Sequence, residues 1–155
     1  MAETIPMRDT IAAQMRDAMK AGQKVRVGAL RLIMAALKER EIEARGAGKI
    51  VSRADELALL TKMLKSRQES AAIYAEAGRK ELADQENAEI AVISEFLPKQ
   101  MDEAAVTAAA KAAIASTGAT SVKDMGKVVN ALKTAHAGEM DFAKASAIVK
   151  GLLAG

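Results

Sequence analysis

The chain has 155 residues and a net charge of +3, with half of its residues apolar but only three aromatic rings, no tryptophan and no cysteine. That length allows one domain or two small ones, and the absence of cysteine excludes disulfides, thiol nucleophiles and thiolate metal sites. Scarce aromatics weigh against single-strand binding by base stacking and, with few β-branched residues, against a β-rich fold.

Taken in order, the chain predicts helices throughout. The Met1–Pro6 segment shows no basic region followed by an apolar core, so no signal peptide is expected. A first helix is expected over Met7–Ala21, with Ile11, Met15, Ala18 and Met19 on one face, ended by Gly22. A second spans Lys24–Arg45, with Val27, Leu30, Met34 and Leu37 in one stripe that Leu32, Ile33 and Ala36 broaden toward a second neighbour, and Gly46-Ala-Gly48 breaks it. Ser52 caps a long third helix whose first turn carries Asp55 and Glu56, where the helix dipole favours acids. Leu57, Leu60, Leu64, Ala71 and Tyr74 are its apolar positions, and Gly78 ends or bends it. A fourth helix over Lys80–Phe96 presents Leu82, Ile90, Ile93 and Leu97, and Pro98 stops it by pushing the residue before it out of the α region.

Beyond Pro98 the texture changes to alanine-rich, with short helices expected over Glu103–Ser116, Val122–Ala135 and Phe142–Leu153 and with Asp102 and Asp141 at cap positions. The expectation is an all-α protein: an N-terminal bundle of long helices over residues 1–98 and a compact C-terminal three-helix module over residues 99–155, small but viable. No apolar run approaches the roughly 18 residues of a membrane span, and these features together predict a soluble, cytoplasmic protein without membrane association.

The most informative stretch is Ser121-Val-Lys-Asp-Met-Gly-Lys-Val-Val-Asn-Ala-Leu132. Ser121 and Asp124 have capping-box spacing. Gly126 then falls inside the expected helix, where glycine costs about 1 kcal/mol against alanine. A helix that accepts that cost is expected to admit something close to its backbone, either a neighbouring helix or a phosphate. On the residues alone, a helix-packing notch is the favoured reading. Lys123 and Lys127 are four apart and share a face; with Lys133 and Lys144 they make the candidate phosphate-contacting set around Gly126, and Lys111 and Lys150 complete the module's basic residues.

Charge is uneven along the chain. Residues 8–67 carry fourteen Lys/Arg against seven Asp/Glu, and residues 68–95 carry two against seven. Arg26, Arg31, Lys38 and Arg45 form a secondary basic face, the last three spaced by seven so that they stay in line. That line can follow phosphates or pair with the acidic stretch Glu81–Glu95, and pairing is the favoured reading.

No catalytic constellation is visible. The single histidine, His136, stands beside a glycine turn at a helix C-terminus, where the dipole favours a cation. Neither a Gly-rich Lys-Ser/Thr phosphate loop nor a dinucleotide fingerprint is present. Glu39, Glu41 and Glu43 are close in sequence, but alternate spacing on a helix spreads them over different faces, so no metal site or cofactor is expected.

Three segments carry a family resemblance: Met7-Arg-Asp…Met15-Arg-Asp-Ala-Met-Lys20 with Arg26…Leu30-Arg-Leu-Ile33; Ile90-Ala-Val-Ile-Ser-Glu-Phe-Leu-Pro-Lys-Gln-Met101; and Asp124-Met-Gly-Lys-Val128 with Gly138 and Asp141 after it. In this order they resemble the YqeY family, stand-alone relatives of the C-terminal domain of the GatB amidotransferase subunit. Phe96 stands where the family usually has tyrosine, Ala105 where an acid is frequent, and Glu139 where a lysine is usual. The family start aligns near Met7, which makes Met1–Pro6 a short extra arm.

The resemblance implies a module attached to tRNA biochemistry, since the similar domain of the amidotransferase helps hold the tRNA body while chemistry occurs elsewhere. It implies tRNA and an aminoacyl-tRNA synthetase or amidotransferase subunit as candidate partners. The family also carries the label of carbon–nitrogen ligase activity with glutamine as amido-nitrogen donor. That label would require glutaminase or ATPase activity, and neither is expected of the isolated chain. The leading expectation is a non-catalytic tRNA-binding or tRNA-enzyme accessory protein; the alternative is a protein–protein adaptor that docks a synthetase or amidotransferase with no direct RNA contact.

Overall fold

The computed structural model describes residues 6–154, so the Met1–Ile5 part of the expected N-terminal arm lies outside the described residues. The fold is all-helical. Among the described residues seven α-helices run α1 (Met7–Lys20), α2 (Lys24–Gly46), α3 (Arg53–Glu76), α4 (Lys80–Ser94), α5 (Glu103–Thr117), α6 (Met125–Ala135) and α7 (Phe142–Ala154), with one 3₁₀ turn at Val122–Asp124. The chain divides into two compact units, Met1–Phe96 and Leu97–Gly155.

Glycine sets the helix ends. Gly22, Gly48, Gly78 and Gly118 take φ between 69° and 73°, the left-handed conformation that costs glycine nothing. After each, the next N–H turns back to a carbonyl five residues earlier: Gln23 to Ala18 at 2.9 Å, Lys49 to Ala44 at 2.7 Å, Arg79 to Tyr74 at 2.8 Å and Ala119 to Ile114 at 3.2 Å. This is the Schellman arrangement, which satisfies carbonyls that a helix end leaves open. At the start of α3 the capping box is complete, with Ser52 Oγ accepting from the Asp55 N–H at 3.1 Å and the Ser52 N–H donating to Asp55 Oδ2 at 3.0 Å.

In the N-terminal unit α3 and α4 pair most extensively, α1 packs on α2, and α2 bridges to α4. Ile11, Leu30, Ile33, Leu60 and Ile93 are its largest fully buried side chains. Some expected core positions are not buried. Met19, Leu32 and Leu82 are exposed, and Met7, Ala29 and Ala83 are buried instead. Each expected face was rotated or widened by an apolar residue one or two positions from the true seam. The fourth helix ends at Ser94 rather than Phe96, because the N–H groups of Glu95 and Phe96 bond three residues back, to Val92 and Ile93, tightening the last turn out of α geometry.

In the C-terminal unit α5, α6 and α7 all contact one another around Val106, Ala110, Ala113, Val128, Leu132, Met140, Ala145 and Val149. Alanine at three of these positions lets the short helices approach closely. Asp102 caps α5 by accepting from the Ala105 N–H at 2.7 Å, and Asp141 accepts from the Ala143 N–H at 3.0 Å at the start of α7.

Candidate nucleic-acid interface

The candidate face is built on the entry to α6. The expected helix over Val122–Ala135 begins instead as a 3₁₀ turn, with the Asp124 N–H bonding to the Ser121 carbonyl at 2.9 Å, and α-geometry starts only at Met125. Gly126 is therefore in the first turn of α6 and not in a helix interior. A Cβ added to Gly126 meets nothing within 4 Å. The favoured reading of this glycine as a helix-packing notch is thus corrected: among the described residues no neighbouring helix uses the gap, because the side of α6 that packs is the one carrying Val128, Val129 and Leu132.

The Asp124 carboxylate fixes the entry. Its Oδ2 accepts from the Thr120 N–H at 2.9 Å and the Ser121 N–H at 3.3 Å, and Lys127 Nζ lies 3.7 Å from Oδ1. The Thr120 bond chiefly holds its pKa below the usual aspartate value; the Ser121 bond and the Lys127 charge add to this, against some desolvation. A depressed folded-state pKa gives stability that is complete above the unfolded value and lost as pH falls through the folded one. Asp124→Asn is therefore expected to lower the module's melting temperature at pH 7. That gap should close in acid, below the ordinary aspartate value of 3.8. Thermal melts across pH check it.

Lys123, Gly126, Lys127 and Lys133 are all exposed. Gly126, Lys127 and Lys133 stand on one broad side of α6, Lys133 seven residues after Gly126, and Lys123 lies just before them on the 3₁₀ turn, four residues from Lys127. The ion pair of Lys127 with Asp124 is a surface pair, which contributes little and leaves the ammonium accessible. Sequence reasoning missed Asn130 and Thr134, which continue the same exposed side; the signal was available, since Asn130 stands seven residues after Lys123. Lys144 is exposed on α7, a different helix, and the structure does not bring it into this stripe.

The turn before α7 is held by its own polar groups. Glu139 Oε2 lies 2.9 Å from His136 Nδ1. The segment after α4 closes over this turn: the Met101 N–H donates to the Glu139 carbonyl at 2.8 Å and Gln100 Nε2 to the Gly138 carbonyl at 2.6 Å. His136 and Glu139 are committed to this internal latch.

The secondary basic face separates into two parts. Arg26 is half-buried, with its guanidinium 2.6 Å from Glu95 Oε2 and 2.7 Å from Gln14 Oε1. Arg67 and Glu89 pair similarly at 2.9 Å. Arg31, Lys38 and Arg45 are exposed, and no carboxylate of α4 engages them, contrary to the expected pairing with the acidic stretch. The five residues from Arg26 to Arg31 turn the helix by about 140°, which puts Arg26 on the packed side and the other three on the outer side. Of the three clustered glutamates, Glu41 is held by Arg8 at 2.6 Å. Among the described residues there is no group of three or more His, Asp or Glu that could hold a metal ion, and no helix long and apolar enough to cross a membrane.

A four-helix unit followed by a three-helix module with a basic, glycine-opened helix face is the class of protein that fold and site define. The chain belongs to the YqeY family: the model described as Yqey-like protein matches residues 8–153. No curated protein is significantly similar to the chain in sequence.

Proposed function

We propose that this chain is a non-catalytic tRNA-binding or tRNA-enzyme accessory protein, and that α6 lies along the RNA backbone. The observation that carries the reading is Gly126: exposed, flanked by Lys123 and Lys127, and with none of the described residues within 4 Å of where its Cβ would stand. A sugar–phosphate chain can approach the helix there, and the lysines contact phosphates without reading sequence. Asn130 and Thr134 offer polar groups to ribose 2′-hydroxyls, the contact by which a protein distinguishes RNA from DNA. The relation of the family to the GatB tail, which helps hold the tRNA body, supports tRNA as the RNA concerned.

The test is a titration of tRNA at two salt concentrations, with Lys123→Ala/Lys127→Ala as control. Binding should weaken steeply with salt, and the double variant should bind more weakly with a shallower salt dependence. Absence of salt-dependent binding at micromolar protein contradicts the proposal.

A second reading, an adaptor that docks a synthetase or amidotransferase subunit without touching RNA, draws on a separate observation: Val25, Leu32 and Ile42 of α2 are large apolar residues left exposed. Capture of the same protein partners after nuclease treatment favours it, and loss of those partners counts against it.

A further inference from the structure

The outer side of α2 has a pattern that neither the core nor the α6 face uses. Val25, Gly28, Leu32, Ala35, Glu39 and Ile42 alternate at spacings of three and four, the period of a coiled-coil seam. All six are exposed, and Val25, Leu32 and Ile42 reach 65%, 44% and 68% exposure. The core side of the same helix, with Val27, Leu30, Ile33 and Leu37, is on the opposite face, so the seam is a second apolar stripe about 26 Å long. A Cβ added at Gly28 meets nothing within 4 Å, which leaves the seam open to a close-packed neighbour.

Arg31, Lys38 and Arg45 run along one flank, each directly before a seam position or one heptad from it. Their neighbours one turn away include a single carboxylate, Glu41, and Arg8 already holds that. The flank is therefore a line of like charge along α2, beside apolar surface that phosphates would not cover, and among the described residues Arg31, Lys38 and Arg45 form no ion pair.

We propose that this face docks an acidic amphipathic helix of a partner protein: apolar residues on the seam, glutamates or aspartates against Arg31, Lys38 and Arg45. A second copy of this chain fits poorly. Antiparallel self-pairing of α2 sets Arg31 against Lys38 of the other copy, and parallel self-pairing stacks Glu39 on Glu39, like charges in both cases. Glu39 interrupts the seam once, and a single polar seam position fixes the register of a partner helix. This inference deepens the adaptor reading and is independent of the α6 face.

The test uses the full chain and two synthetic three-heptad helical peptides with identical leucine and alanine seams. One carries glutamates along one flank and glutamines along the other, and the second carries lysines in place of the glutamates. The glutamate peptide should bind at least tenfold more tightly at low salt. Leu32→Glu/Ile42→Glu should weaken that binding at least tenfold; both positions are exposed, so the fold is kept. Arg31→Glu/Lys38→Glu/Arg45→Glu should reverse the preference and take the lysine peptide.

Equal binding of both peptides, or of neither, overturns the proposal. So does a sedimentation mass of two copies that Leu32→Glu returns to one. If the triple variant leaves peptide binding unchanged but lowers tRNA affinity, the line serves RNA and the proposal fails. Loss of tRNA binding in Lys123→Ala/Lys127→Ala with peptide binding intact separates this result from the α6 reading.

Discussion

Leu132→Ala is expected to unfold the C-terminal module while α1 to α4 keep their helical structure. Leu132 is 1% exposed and sits on α6 among Val106, Ala110, Ala113, Val128, Met140, Ala145 and Val149. Removing a buried leucine side chain costs about 2–5 kcal/mol, the larger values arising where surroundings cannot collapse into the space. Here three of the neighbours are alanines with no side-chain length to reach into a cavity. A core this small supplies net stability of only about 3–5 kcal/mol, so the loss is comparable to all that the module has. In urea titrations followed by circular dichroism, the variant should lack part of the helical signal from the outset. Amide resonances of residues 103–154 should collapse toward unfolded positions while those of residues 7–94 stay dispersed. Leu132→Met conserves volume, costs less than about 1.5 kcal/mol, and should leave the module folded.

The second large effect is on RNA. Lys123→Glu/Lys127→Glu removes two cations from the α6 face and adds two anions, with no change to any buried residue. On duplex nucleic acid each neutralised phosphate contributes about 0.9 to the slope of log affinity against log salt. Two lost contacts therefore remove about 1.8 powers of ten in affinity at 0.1 M salt relative to 1 M. Repulsion by the new carboxylates adds to that, so tRNA affinity should fall by about a hundredfold or more near 0.1 M salt. Filter binding or fluorescence anisotropy measures it, and a melting curve of the same variant confirms that the module is folded. Unchanged affinity in a folded variant would remove α6 from the interface.

The helices were legible in the sequence because their ends are written in glycine and their interiors in apolar spacing. Gly22, Gly48, Gly78 and Gly118 all take the left-handed turn that ends a helix. Which apolar residue faces the core was less legible. Leu32 looked like a widening of the packed stripe of α2, but it belongs to a separate outer seam, and periodicity alone does not distinguish one broad face from two. Arg26 belongs by sequence to the same basic face as the line of Arg31, Lys38 and Arg45, yet five residues of helix separate its direction from that of Arg31. At the candidate site, the lysines and Gly126 could be named from spacing. The 3₁₀ entry could not, because it depends on Asp124 drawing in the N–H groups of Thr120 and Ser121. Nor could spacing show that the gap beside Gly126 is empty of protein, since that requires knowing which side of α6 packs.

Crosslinking the full chain to tRNA at moderate salt, followed by mass spectrometric identification of the crosslinked peptides, tests the central claim most directly. The α6 account predicts crosslinks concentrated between Thr120 and Thr134, lost on raising the salt and lost again in Lys123→Glu/Lys127→Glu. Crosslinks confined to other segments, or none at all with tRNA in excess, would contradict it.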